Sequence, residues 1–128
     1  MKVQRFEDLE IWKEARELAL LIKVLTRKSE FSKDYKFVAQ ITSSSGSTMD
    51  NIAEGFDRDG NKEFFQFLSI SKGSNAETRS QAYRAFDYKY IDQIELDDIL
   101  LRTEKLKVKI NSLMLYLKNS DRKGNKYT

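Results

Sequence analysis

The chain has 128 residues and a net charge of +3, which is enough length for one domain with its own core and a charge that mildly favours anionic partners. It contains no cysteine and no histidine, so disulfides, zinc fingers, thiol catalysis and every histidine-based triad or metal site are excluded. It also contains no proline and no apolar run near the roughly 20 residues of a membrane span, so we expect long helices in a soluble cytoplasmic protein.

Apolar residues that recur at steps of three and four predict the first two helices. The first runs from about Glu7 to Arg27, and a polar connection follows at 28–34. The second covers about Tyr35 to Asp57, and its middle, 42–48, is rich in serine, threonine and glycine. Such residues form helix poorly, so close packing against a neighbour must hold this stretch helical. A break in the helix there is the competing interpretation.

A turn at 57–61 leads into the third predicted helix, about Lys62 to Tyr88, with Asn61 as its N-cap. The acidic turn is not a calcium loop, because its glycine comes one residue early and Leu68 occupies the position of the bidentate glutamate.

Asp92 and Glu95 resemble a capping box at the start of the fourth helix. From Ile99 to Leu117 its apolar residues keep the alternating steps of a bundle seam. The four helices predict an all-α, antiparallel up-down-up-down four-helix bundle. We expect a single domain over residues 1–119 and a flexible C-terminal tail at 120–128.

The fourth helix carries a second apolar seam, nearly opposite the first. Leu101, Val108 and Leu115 recur every seven residues on that face. A column of three apolar residues on an outer face indicates a partner, whereas a lone exposed leucine does not. We therefore predict self-association through these residues, with ordinary surface apolarity as the alternative interpretation.

Two polar strings interrupt the apolar patterns of the second and third helices, at 51–55 and 73–77. Each combines a group that can pair inside a core with small residues that let backbones approach. We predict that the strings face each other in a structural polar network, with the Asn51 amide donating to the Glu77 carboxylate. Its predicted members are Asn51, Glu54, Ser74 and Glu77, with Arg79 or Arg84 as a nearby cation.

The alternative interpretation makes Glu54 and Glu77 a carboxylate pair for acid–base chemistry or, with Asp50, a metal site. Carboxylate metal sites in helical bundles usually add histidine ligands, and the chain has none. We therefore expect no catalytic residue, metal or cofactor.

An ordered set of motifs extends over about residues 5–117. In chain order it consists of Phe6-Glu7-Asp8-Leu9-Glu10-Ile11-Trp12 with Ala15, Phe31 and Tyr35, Gln40, Asn51-Ile52-Ala53-Glu54-Gly55, Lys62-Glu63-Phe64 with Phe67-Leu68, and Gly73-Ser74 with Glu77-Thr78. With these residues the chain resembles the four-helix-bundle family called 23S rRNA intervening-sequence proteins. The chain departs from the family at Ser32, where proline is common, and at Thr42-Ser43, where a basic pair is common.

The resemblance implies bacterial origin and a ring-like homopentamer of antiparallel bundles. Such proteins are similar to accessory proteins of diversity-generating retroelements, which points to binding of nucleic acid or a reverse transcriptase. If the basic pair contacts phosphate in relatives, this chain lacks those contacts.

The first functional hypothesis is an oligomeric, non-enzymatic protein that binds structured RNA, because repeated copies multiply a modest basic patch. Its candidate contacts are Arg102, Lys105 and Lys109 on one face of the fourth helix, then Arg79, Arg84, Arg122, Lys123 and Lys126. Acidic neighbours weaken that patch, and ordinary solvated surface is the alternative. The second hypothesis is a protein-interaction adaptor that binds no nucleic acid. An enzyme ranks third, since no nucleophile–base pair or phosphate loop can be assembled.

Overall fold

A computed structural model of the chain describes residues 3–120. The all-α prediction is confirmed, and no β-strand occurs between residues 3 and 120. A short 3-10 helix at Phe6–Asp8 precedes five α-helices: α1 Glu10–Leu25, α2 Ser29–Lys33, α3 Tyr35–Phe56, α4 Asn61–Asp87 and α5 Gln93–Asn119. In this described part of the chain, no helix is both long and apolar enough to cross a membrane. The predicted tail at 120–128 lies outside the described residues, apart from Ser120.

Neighbouring long helices run antiparallel, because residue numbers rise on one helix as they fall on its partner. Between α3 and α4, side-chain hydrogen bonds join Ser44 to Thr78 at 2.8 Å and Ser47 to Ser74 at 3.0 Å. The contacts of α5 with α4 and with α1 likewise join rising residue numbers on one helix to falling numbers on the other.

The segment predicted as a polar connection is helical in part, which corrects the prediction. It forms α2, whose Phe31 is only 1% exposed. The Phe31 ring stacks on Phe37 and Tyr90, with ring centroids 5.5 and 5.0 Å apart. Burial of one aromatic side chain therefore anchors a short helix that charge and polarity alone did not indicate.

One of the two predicted caps is correct. Asp92 and Glu95 form the capping box, since each side chain accepts a 2.8 Å hydrogen bond from the backbone N–H of the other. The N-cap of α4 is Gly60, with φ of 97°, and not Asn61. Asn61 is instead buried as the first helical residue and donates to the Ser120 carbonyl at 3.3 Å.

The small residues of α3 lie against α4, as predicted, and α3 continues unbroken through 42–48. At Gly55 a Cβ atom would lie 2.5 Å from the Phe67 Cβ, so only glycine fits the approach of the two helices. Gly73 does not serve this purpose, because a Cβ there would meet nothing within 4 Å.

The core has apolar ends and a polar middle. The middle consists of buried hydroxyl and amide side chains from α3, α4 and α5, namely Ser44, Ser45, Thr48, Ser71, Asn75, Thr78, Gln81 and Thr103. Hydrogen bonds connect them, such as that from the Asn75 amide to the Thr103 carbonyl at 2.9 Å. The buried residues of α1 are all apolar, so α1 takes no part in this polar layer.

Candidate functional site

The predicted polar network forms in part, through a serine that the prediction omitted. The Asn51 side-chain amide donates to Ser47, at 2.8 Å to its carbonyl and 2.9 Å to its hydroxyl. The Ser47 hydroxyl in turn lies 3.0 Å from that of Ser74. Asn51 and Ser74 therefore belong to one hydrogen-bonded chain between α3 and α4.

The two glutamates lie outside that chain, which corrects the prediction. Glu77 is exposed and accepts a hydrogen bond from Gln81 at 3.4 Å, so the expected bond from Asn51 is not formed. Glu54 is also exposed and pairs with Arg58 at 2.9 Å. Both carboxylates remain in water, which avoids the cost of burying a charge. Residues 3–120 contain no cluster of three or more acidic side chains suited to a metal ion.

Arg79 and Arg84, both predicted as weaker nucleic-acid contacts, are engaged within the fold. The Arg79 guanidinium donates to the Leu100 carbonyl at 2.7 Å and to the Thr103 hydroxyl at 2.9 Å. Arg84 lies over the Phe37 ring, 4.4 Å from its centroid. Both guanidinium groups therefore already have partners within the chain.

Arg102, the first predicted phosphate contact on α5, lies among carboxylates. It forms a 2.9 Å hydrogen bond to Asp98 on its own helix and an ion pair at 3.7 Å with Glu17 of α1. Arg102 lines a groove between α1 and α5 that has a volume of about 390 Å³. Lys105 lies on the wall of this groove.

Lys109 completes this groove and is also paired. Its ammonium group contacts Glu14 and lies 3.2 Å from Glu10. The hydrogen bond to Glu14 raises the pKa of Lys109, so the lysine keeps its charge at neutral pH. Three cations therefore face four carboxylates in the groove. The predicted basic patch is neutralised, because α1 supplies carboxylates from 95 residues away in the sequence. The other predicted contacts, Arg122, Lys123 and Lys126, lie outside the described residues.

A group of cations without ion-pair partners in the described part of the chain lies along α1, which the sequence interpretation overlooked; one of them, Arg16, lies over the Trp12 ring, 5.6 Å from its centroid. The outward surface of α1 and of the turn after it, here called the basic face, consists of Lys13, Arg16, Leu20, Lys23, Val24 and Arg27, all exposed. Among residues 3–120, no carboxylate forms an ion pair with any of its four cations. The four cations are spaced by three, seven and four residues, which places them on one helical face. This face could therefore have been predicted from the sequence.

The second seam of α5 is exposed in the single chain. It is one residue longer than predicted, because Ile94 extends it at the same seven-residue step. This apolar column consists of Ile94, Leu101, Val108 and Leu115, which are 79%, 61%, 53% and 61% exposed. Asp97 and Glu104 are exposed between its members. The chain thus presents an apolar column with acidic neighbours on α5 and a basic face on α1.

The sequence model of one protein family, described as 23S rRNA-intervening sequence protein, matches residues 7–112. The chain belongs to this family. The match includes all five helices up to the last turns of α5, and it confirms the resemblance found in the ordered motifs. No curated protein matches the chain.

One solved structure similar to this intervening-sequence protein is the 1.70 Å crystal structure of a protein of unknown function from Bacteroides thetaiotaomicron, assigned to the S23 ribosomal protein family. The TM-score is 0.74 at 18% sequence identity, and the alignment covers 81% of this chain and 97% of that chain. At this identity the similarity shows a shared fold alone.

Proposed function

We propose that this family member is a non-enzymatic, self-assembling helical bundle that acts by binding in the bacterial cytoplasm. The observation that supports the proposal is the apolar column of α5. Antiparallel contacts between the neighbouring long helices support the up-down-up-down bundle on which the column is displayed. The ring-like homopentamer implied by the resemblance is the proposed assembly.

The column has the length and composition of a helix-packing seam. Its 21-residue span is about 32 Å at roughly 1.5 Å per residue. Complete burial of one such apolar side chain contributes about 1.5–3 kcal/mol, so four partly buried members give a subunit contact substantial stability. In a monomer these four apolar side chains would stay exposed to water and contribute nothing to stability.

Leu101→Asp combined with Leu115→Asp is expected to dissociate the assembly into monomers, because each change places a charge inside the contact. Sedimentation velocity over a range of protein concentrations measures the result. A monomeric parent protein, or a variant with the parent's mass, would contradict the proposal.

The matched control changes two exposed apolar residues on α4 that do not belong to the column. Ile70 and Tyr83 are 52% and 47% exposed. Ile70→Asp combined with Tyr83→Asp adds the same charge to the chain and is expected to leave the mass of the assembly unchanged.

RNA binding is the second candidate function, and the basic face of α1 favours it over the predicted contacts on α5. Four cations without ion-pair partners, repeated around an assembly, form the kind of surface that binds phosphate through counterion release. The similarity to accessory proteins of diversity-generating retroelements, itself a prediction, agrees with this candidate. A reverse transcriptase remains the proposed protein partner in that setting. If the basic face binds no RNA, the adaptor hypothesis is favoured.

Lys13→Ala combined with Arg27→Ala is expected to weaken binding of a structured ribosomal RNA fragment and to flatten its salt dependence. Each lost phosphate contact lowers the slope of log K against log salt by about 0.7–0.9. Filter binding at several salt concentrations measures that slope. Arg102→Ala combined with Lys105→Ala, within the neutralised groove, is the control with little expected change. Equal effects of both pairs, or no RNA binding by the parent, would remove this candidate.

A further inference from the structure

We infer that the apolar column of α5 in one copy docks on the basic face of α1 in the next copy. The contact joins two different surfaces, so it is a head-to-tail contact of the kind that closes into a ring. This inference rests on the proposed self-assembly and adds the identity of the second surface.

The two surfaces are complementary in polarity and in charge. The basic face offers Leu20 and Val24, 65% and 48% exposed, among its four cations. The column offers four apolar side chains with Asp97 and Glu104 beside them. Within residues 3–120 neither carboxylate has an ion-pair partner. Opposite potentials that meet across a contact fix its register and reject wrong partners.

The ion pairs inside one chain show which residues of α1 and α5 lie at the same height. Lys28, just beyond α1, pairs with Glu95 at 2.6 Å, and Glu17 pairs with Arg102 at 3.7 Å. Glu10, at the start of α1, lies 3.2 Å from Lys109. Residues of α1 and α5 at the same height therefore have numbers that sum to about 119–123.

In a ring whose axis runs along the helices, rotation from one copy to the next preserves these heights. Interpolation between the ion pairs places Lys23 level with Asp97 and Leu20 level with Leu101, within about two residues or roughly 3 Å. By the same interpolation Arg16 is level with Glu104. One register thus pairs two cations with two carboxylates and a leucine with a leucine.

A two-fold contact, in which the column packs on itself, is the competing arrangement. It buries the column but leaves Leu20, Val24 and the cations of α1 exposed. The head-to-tail contact covers both apolar surfaces, which is why the structure favours it. It also covers the face proposed to bind RNA, so the two uses of α1 compete and one experiment separates them.

The test is a charge swap between Lys23 and Asp97. Lys23→Asp and Asp97→Lys are each expected to weaken assembly more than about tenfold, because like charges then face each other across the contact. The chain that carries both changes restores the opposite pair at every contact and is expected to assemble as the parent does. Sedimentation equilibrium measures the association constants, and circular dichroism checks that each variant remains helical.

Three outcomes would overturn the inference. Single variants that assemble like the parent would show that α1 is not in the contact. Single variants that dissociate without recovery in the double variant would show that Lys23 and Asp97 are not partners. A Lys23→Asp variant that keeps its mass but loses RNA binding would assign the basic face to RNA. If Leu101→Asp with Leu115→Asp leaves the parent's mass unchanged, the proposed function itself fails, which is a distinguishable result.

A second measurement uses the absence of cysteine from the chain. Leu20→Cys and Leu101→Cys proteins are prepared separately, mixed, and oxidised. We expect a disulfide-linked dimer in the mixture and in neither protein alone, since a disulfide needs Cα atoms about 4.4–6.8 Å apart. A Val108→Cys protein that cross-links with itself would establish the two-fold contact and overturn the inference.

Discussion

Replacing Gly55 with alanine is expected to lower the free energy of unfolding by about 1–2 kcal/mol, the cost of overpacking less the gain in helix propensity. The added Cβ would lie 2.5 Å from the Phe67 Cβ and 2.9 Å from the Phe64 ring. Since the first of these atoms is next to the backbone, α3 and α4 must move apart to admit the methyl group, and overpacking of this kind costs about 1–3 kcal/mol. Urea denaturation followed by circular dichroism measures the change.

Gly73→Ala supplies the matched control, because Gly73 is also helical but its Cβ would meet nothing within 4 Å. Alanine inside a helix is favoured over glycine by about 0.5–1 kcal/mol, so this variant is expected to be more stable than the parent. The two substitutions therefore have opposite expected signs. Equal effects at Gly55 and Gly73 would contradict the close approach of α3 and α4.

Replacing Phe31 with alanine is expected to cost about 3–5 kcal/mol, the usual range for a buried phenylalanine. Phe31 is 1% exposed and stacks on both Phe37 and Tyr90. Its loss would leave a cavity under α2 and separate the start of α3 from the connection between α4 and α5. Thermal and urea unfolding measure the loss.

Tyr35→Ala is the control, since this nearby aromatic is 81% exposed. A surface substitution of this kind is expected to change stability by less than about 0.5 kcal/mol. If Phe31→Ala had as small an effect, α2 would be a surface turn and not an anchored element.

The helices and one capping box were predictable because they depend on residues close together in sequence. Asp92 and Glu95 are three positions apart, and the seven-residue step of the apolar column is visible in the chain alone. The short helix α2 was missed because all its residues except Phe31 are polar or charged. Only the three-dimensional structure shows that the Phe31 ring stacks on Phe37 and Tyr90.

The partners of charged and polar side chains were less predictable. A helical wheel gives the direction of a side chain around its own helix axis, but not which residue of a neighbouring helix lies at the same level. Asn51 was predicted to donate to Glu77 of α4, but it donates to Ser47 of its own helix. Lys109 was predicted to contact phosphate, but Glu14 of α1 pairs with its ammonium group. The basic face of α1 was visible in the sequence as a spacing, but only the structure shows that no carboxylate among residues 3–120 forms an ion pair with its cations.

The polar middle of the core makes the tolerance of this protein to substitution uneven. In α3, α4 and α5, hydroxyl and amide groups meet at defined heights, so a change such as Thr78→Val removes the hydroxyl that contacts Ser44 at 2.8 Å and the Ser74 carbonyl at 3.0 Å. In α1 the buried side chains are apolar, and isosteric exchanges such as Leu18→Met satisfy the same space. The inner side of α1 therefore tolerates isosteric apolar exchanges, whereas a polar position in the middle of the core tolerates change only when its hydrogen-bond partners change with it.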